Sequence, residues 1–262
     1  MDASLSSLPP FREEEHFLRA HMCGHNGSLH FHSLLDLLQD GASSHADSLH
    51  IGRERMEEEG TLWVLSRLRG EIHRLPFCGE KFTLTTYPTG CEGISASRQY
   101  VLKDETGKEL VTATGFWLVL DRKNFRIQRP GKILAGISCN EDLPRYYREM
   151  EKFVPFAPEE TAYQTLQPLS YRVRHSDIDM NGHFNNALYS KLMVDTLSSL
   201  LGDFVSIATF QIDFTLSAFL GETLECSGGV TSEGAYQVSG INEEGKTCFR
   251  AQGRLDSLPS AN

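Results

Sequence analysis

The segment Arg172–Asn186 reads RVRHSDIDMNGHFNN and packs Asp177, Asp179, Asn181, His183, Asn185 and Asn186 close together. A junction that only had to turn would need one or two Asp, Asn or Gly residues. Asp179, Asn181 and His183 stand at alternate positions, so an extended backbone would aim all three side chains the same way. Histidine can serve as a general base near neutral pH. A nearby carboxylate would hold its tautomer, and an amide could bind a carbonyl oxygen or place a water. The helix predicted to begin here would add free backbone N–H groups for a developing oxyanion. A plainer reading stands beside this one. Asp177 and Asn181 could be turn and capping residues only, and His183 a surface histidine.

The elements that would position this segment can be read on either side of it. Tyr171–His175 is strand-like, and a helix is predicted from about Asn185 to Leu201, with Leu188, Leu192 and Leu197 on its apolar stripe. Strands follow at Ile207–Leu216, Thr223–Thr231, Ala235–Asn242 and Thr247–Leu255. The first half has the same outline. Leu29, Leu34, Leu35 and Leu38 recur at helical spacing within Ser28–Asp47, with Ser28 as N-cap. Gly52–Gly60 reads as a charged connection. Strands are predicted at Thr61–Leu68, Lys81–Thr86, Ser97–Leu102 and Leu110–Leu120, with a hairpin turn in Asp104–Glu109. Between the halves, Pro130, Pro144, Pro155, Pro158 and Pro168 suggest a linker, with a short helix over Leu143–Phe153.

A local echo supports duplication. RLPFCGEKFTL in the first half matches LSAFLGETLEC in the second, pairing Phe77 with Phe219, Gly79 with Gly221, Glu80 with Glu222 and Phe82 with Leu224. A long helix followed by antiparallel strands, twice over, predicts an α+β fold.

Composition narrows the function classes. The chain has 262 residues, 40% hydrophobic and 23% charged, which suits a globular protein of one large domain or two smaller ones. No apolar run approaches the roughly 18 residues of a membrane span. The acidic opening MDASLSSLPPFREEEH does not resemble a signal peptide, so a cytoplasmic location is expected. The net charge of −10 argues against broad nucleic-acid binding. Six scattered cysteines show no CxxC pair, and His21, His25, His30 and His32 fit no closed zinc spacing, so no metal or cofactor is expected.

The string SDIDMNGHFNNALY resembles the motif of plant plastid and bacterial acyl-ACP thioesterases, in which an aspartate, an asparagine and a histidine alternate and two asparagines follow. LQDGASSHADSLHIG, GTLWVLSRLRGEIHRLPFCGEKFTLTTYP and TGKELVTATGFWLVLDRKNFR extend the likeness over roughly residues 11–256. The resemblance implies a tandem double hotdog, each unit a long helix wrapped by a curved antiparallel sheet. Residues 1–125 would be the N-terminal unit with the acyl-chain pocket, 126–167 a linker, and 168–262 the C-terminal unit with the catalytic loop. It implies Asp179, Asn181 and His183 as the catalytic set. Fatty acyl-ACP would be hydrolysed to free fatty acid, with the acyl tail lying under Leu34, Leu38 and Trp63. Acyl carrier protein is the implied partner, and a monomer or a homodimer would suffice.

One departure stands out against that family. Where it usually has an acidic residue and, in plants, a cysteine, this chain has Ser217 and Ala218. Ala218 cannot be a nucleophile, and Ser217 without a base at contact distance is a poor one. Water attack, with His183 or Asp179 as base, is then the expected chemistry, and Ser217 could hold the water. Arg172 and Arg174 could meet the phosphate of phosphopantetheine or pair with nearby acids. Arg122, Lys123, Arg126, Arg129 and Lys132 could dock the carrier or simply face solvent. An acyl-CoA thioesterase and a non-catalytic acyl-binding protein are the alternatives.

Overall fold

The computed structural model describes residues 9–140, 142–156, 163–202 and 205–256. Pro158 and the ends of the chain lie outside the described residues. The chain divides into two compact units. One holds residues 1–30 and 36–149, the other 31–35 and 150–262.

In the first unit, helix α1 (Phe31–Ser48) and the short helix α2 (Arg53–Glu58) precede the long strands β2 (Thr61–Ile72), β3 (Lys81–Glu92), β4 (Ser95–Asp104) and β5 (Glu109–Asp121). A strand β1 (Arg12–Phe17) pairs antiparallel with β3, giving the order β1-β3-β4-β5-β2, and β6 (Ile127–Gln128) pairs with β5. Strand β1 went unread because REEEHF carries three glutamates, which disfavour strands. Its alternating exposure marks a charged edge strand, a common guard against edge-to-edge pairing. Helix α1 lies close on this sheet. A Cβ on Gly41 would come within 2.9 Å of Leu84 Cδ2, so any larger residue there would push the Leu84 side chain aside.

Two local expectations fail here. Helix α1 begins at Phe31 rather than Ser28, because Ser28 and Leu29 are already bound in β-bridges to Phe77 and Cys23. No helix forms over 143–153. The Tyr146 amide donates to Gln99 Oε1 at 3.2 Å and the Tyr147 amide to Thr114 Oγ1 at 3.2 Å, so side chains of the sheet take N–H groups that a helix would use. The connection at 52–60 contains α2, which was not foreseen.

In the second unit, β7 (Tyr163–Thr165) and β8 (Leu169–Arg172) both pair with β10 (Thr223–Thr231). Helix α3 (Asn186–Leu201) comes next, then β9 (Ile207–Phe214), β10, β11 (Ala235–Asn242) and β12 (Thr247–Leu255) in the antiparallel order β9-β12-β11-β10. Ala187, Tyr189, Ser190, Leu192, Met193, Thr196 and Leu197 form the buried face of α3 at helical spacing. The strand expected at Tyr171–His175 ends at Arg172, and His175–Asp177 is a 3-10 turn.

The sequence echo is a structural one. In each unit a glutamate returns to cap its own turn. Glu80 Oε2 accepts the Phe77 amide and Glu222 Oε2 the Phe219 amide, both at 3.0 Å. Gly79 and Gly221 take φ of +88° and +87° between them, a region that glycine enters without strain.

Candidate active site

Asp179, Asn181 and His183 do not lie on an extended segment. Ile178 and Phe184 face each other across an isolated bridge, and residues 179–183 fold back between them. The Asp179 amide donates to the His183 carbonyl at 2.8 Å, and the Gly182 amide to the Asp179 carbonyl at 3.0 Å. Gly182 has φ of +80°, which closes the turn. Alternation therefore does not bring the three residues together; the Asp179 carboxylate does. Its Oδ1 accepts the amides of Asn181 at 2.8 Å and His183 at 3.2 Å, and its Oδ2 accepts Asn181 Nδ2 at 3.3 Å. Asp179 and His183 are half-buried and Asn181 is exposed. Asp179 holds His183 through its backbone N–H, so the carboxylate fixes where the imidazole is mounted.

The polar neighbours are structural. Asp177 is buried and accepts the Arg174 amide at 2.8 Å and the Tyr171 hydroxyl at 2.9 Å. Burial, then that hydrogen bond to the carboxylate, raises the Tyr171 pKa. Asn185 is the N-cap of α3, its Oδ1 accepting the Ala187 amide at 2.9 Å. The amides of Phe184, Asn185 and Leu188 are taken by Ala218, Asp177 and Asn185 carbonyls, each at 2.9 Å. The start of α3 thus spends the amides of Ala187 and Leu188 on its own cap.

A second segment closes on this turn. Phe184 donates to the Ala218 carbonyl, and the Tyr189 hydroxyl accepts the Ala218 amide at 2.9 Å while donating to the Leu216 carbonyl at 3.2 Å. Phe219 places its ring edge-on to His183, with centroids 5.1 Å apart and planes at 83°. Sequence reasoning missed Tyr189 and Phe219. Tyr189 had shown only as the last residue of the string SDIDMNGHFNNALY, Phe219 only within the internal echo, and Ala218 only as an absent nucleophile. Ser217, between Leu216 and Ala218, is exposed.

The remaining expected residues are dispersed. Leu34 and Leu38 are buried on α1. Trp63 is half-buried on β2 and donates to the Ile51 carbonyl at 2.9 Å. Arg172 and Arg174 are exposed at the end of β8 and just beyond it. Arg122 bonds Glu57 at 3.3 Å, and Lys123, Arg126, Arg129 and Lys132 face solvent. Among the described residues, no three His, Cys, Asp or Glu side chains converge as a metal site would require.

The first unit contains a copy of the Asp179–His183 turn. A 3-10 turn (Ala20–Met22) precedes a Cys23–Leu29 bridge, as His175–Asp177 precedes Ile178–Phe184. Gly24 donates to the Ser28 carbonyl at 2.9 Å and Gly27, with φ of +78°, to the Gly24 carbonyl at 2.9 Å. Gly24, Asn26 and Ser28 stand where the second unit has Asp179, Asn181 and His183. The copy keeps the Asn-Gly corner and has lost both ionisable groups.

Comparison with known proteins bears on the whole chain. Residues 11–135 match the acyl-ACP thioesterase N-terminal domain, and residues 160–253 match the C-terminal domain of the same family. The chain belongs to the acyl-ACP thioesterase family. Over 94% of its length this thioesterase is 22% identical to oleoyl-acyl carrier protein thioesterase 1 of Arabidopsis thaliana, covering 69% of that protein. It covers 58% of the Arabidopsis oleoyl-acyl carrier protein thioesterase 2, at 22% identity. Its fold is that of an acyl-ACP thioesterase from Bacteroides thetaiotaomicron, with a TM-score of 0.82 at 22% identity, covering 94% of this chain and 98% of that one. The 12:0-ACP thioesterase of Umbellularia californica gives 0.78 at 17% identity, over 94% and 97%. The thioesterase is therefore an α+β tandem hotdog protein, as its sequence led one to expect. Among the described residues no helix is long and apolar enough to cross a membrane.

Proposed function

We propose that this chain releases free fatty acid from acyl-ACP in fatty acid synthesis, with Asp179, Asn181 and His183 as its catalytic set. The observation that carries the assignment is the Asp179 carboxylate holding Asn181 and His183 on one tight turn. Both Asp179 oxygens already accept N–H donors, which makes His183 the better general base. Water loses a proton to the imidazole as it attacks the thioester carbonyl. Asn181 steadies the carbonyl oxygen, and the imidazolium returns the proton to the departing phosphopantetheine thiolate. Ser217, exposed beside the turn, holds the attacking water.

The acyl tail is assigned to Leu34, Leu38 and Trp63, and the phosphate of the arm to Arg172 and Arg174. The acyl-binding unit is residues 1–125 and the catalytic unit 168–262, joined by 126–167. The partner is acyl carrier protein, the setting the cytoplasm, and the active form a monomer or homodimer. Ser217 in place of an acid favours a second reading, a protein that binds acyl thioesters without cutting them.

The deciding assay follows free fatty acid released from a panel of acyl-ACPs, with acyl-CoA alongside, by wild type and His183→Ala. Release that is lost in the variant supports the hydrolase. Binding of acyl-ACP without release by the wild type overturns it in favour of the second reading.

A further inference from the structure

In the first-unit copy of the Asp179–His183 turn, two cysteines lie on paired segments where the second unit has aliphatic side chains. Cys23 occupies the place of Ile178 on the bridge that opens the turn, and Cys78 the place of Leu220 in the glutamate-capped turn. The backbone brings these two segments together. Ser28 is bridged to Phe77, the Cys78 amide donates to the Gly27 carbonyl at 2.8 Å, and the Leu29 amide donates to the Pro76 carbonyl at 2.9 Å. The two thiols are near enough to influence each other electrostatically, and Cys23 Sγ lies 3.4 Å from the Arg19 carbonyl. Cys78 is exposed and Cys23 partly so. Both are free thiols in the structure.

We propose that Cys23 and Cys78 form a reversible dithiol–disulfide pair, a redox-modifiable site that clasps the first-unit turn to its neighbour. The oxidant is a small-molecule disulfide. The exposed Cys78 thiolate attacks one of its sulfurs, forming a mixed disulfide and expelling one small thiolate. Cys23 then loses its proton and attacks the Cys78 sulfur, forming the Cys23–Cys78 bond and expelling the second. One small disulfide and two protein thiols become one protein disulfide and two small thiols. Their proximity favours the second step, because the resolving thiol is already near the mixed disulfide. The other cysteines are placed differently. Burial pushes the Cys226 thiol up to about 12 and the Cys248 thiol up to about 11, which keeps them protonated and inert. Burial and the neighbouring Cys78 thiol also raise Cys23, in keeping with its role as the resolving partner rather than the first attacker.

The site can be tested without reference to hydrolysis. The full chain is incubated with oxidised glutathione, and its thiols are counted in denaturant before and after. The count falls from six to four, two hydrogens are lost in mass, and a peptide map joins Cys23 to Cys78. Dithiothreitol restores all six. In Cys23→Ser the reaction stops at a glutathione adduct on Cys78, and Cys91→Ser behaves as wild type. Hydrogen exchange over residues 20–30 slows in the oxidised form. A count that stays at six, or a lost pair that maps to other cysteines, overturns the proposal. So does a Cys23→Ser variant that still loses two thiols.

Discussion

The Tyr189 hydroxyl accepts the Ala218 amide at 2.9 Å and donates to the Leu216 carbonyl at 3.2 Å. One buried phenol on the helix after the Asp179–His183 turn thereby holds both sides of Ser217. Its own pKa is raised, chiefly by burial, so it stays a neutral donor. Tyr189→Phe keeps the ring contacts with Phe184, Phe214 and Phe249 but removes the partner of the buried Ala218 amide and the bond to the Leu216 carbonyl. The expected loss of stability is about 1–3 kcal/mol, read by urea denaturation. In the hydrolysis assay kcat falls while KM holds, because the loosened segment faces the reacting turn rather than the acyl tail.

His183→Ala lowers kcat by about 10²–10⁴-fold if the imidazole is the base. Asp179→Asn is a separate test of the turn. Asparagine can keep its oxygen on the two backbone amides, but its NH₂ then stands at the Oδ2 position against the Asn181 side-chain NH₂, so the variant is expected to lose activity and to shift the Asn181 side-chain amide signals in an NMR spectrum. Loss of activity with those signals unmoved would contradict the positioning role of Asp179.

Gly182→Ala isolates backbone strain, because a Cβ there meets nothing within 4 Å. At φ of +80° an L side chain costs roughly 1–2 kcal/mol. Gly182→Asn, which tolerates that region better, is expected to retain more activity than Gly182→Ala. Equal activities would show that the turn is not held in this conformation during turnover.

Stability should also depend on His45 in the first unit. The ring is fully buried, its Nδ1 3.0 Å from Arg98 Nη1 and its Nε2 3.1 Å from the Pro9 carbonyl. Burial, then the Arg98 cation, pushes its pKa down to about 4. The unfolded chain titrates near 6.5. Between these values the unfolded state binds more protons, so stability is full above about pH 6.5 and falls as pH drops toward 4. The whole effect is on the order of 3 kcal/mol. Urea midpoints at pH 7.5 and 5 read it, and His45→Gln flattens the difference.

Much of this protein is settled by local sequence. Helix α3, strands β10, β11 and β12 and the Asp104–Glu109 turn form from residues whose periodicity and turn chemistry act over a few positions. Phe77-Gly79-Glu80 and Phe219-Gly221-Glu222 betray the duplication because each turn makes its own cap within four residues. The string Asp179-Asn181-His183 marks a candidate site by residue type alone.

Other features required the tertiary structure. The amides of Tyr146 and Tyr147 are claimed by Gln99 and Thr114, residues distant in the chain, and that contact displaces the helix expected over 143–153. Strand β1 is defined by β3, its partner, rather than by its glutamate-rich sequence. Tyr189 becomes a clamp only when Ala218 is folded against it, and Cys23 meets Cys78 only across paired turns. Asp179, Asn181 and His183 are united by carboxylate hydrogen bonds within a reversal that their alternation concealed. Sequence spacing fixes which groups are near along the chain. Hydrogen bonds between distant segments decide which of them meet, because each amide and carbonyl removed from water must find a partner wherever the fold supplies one.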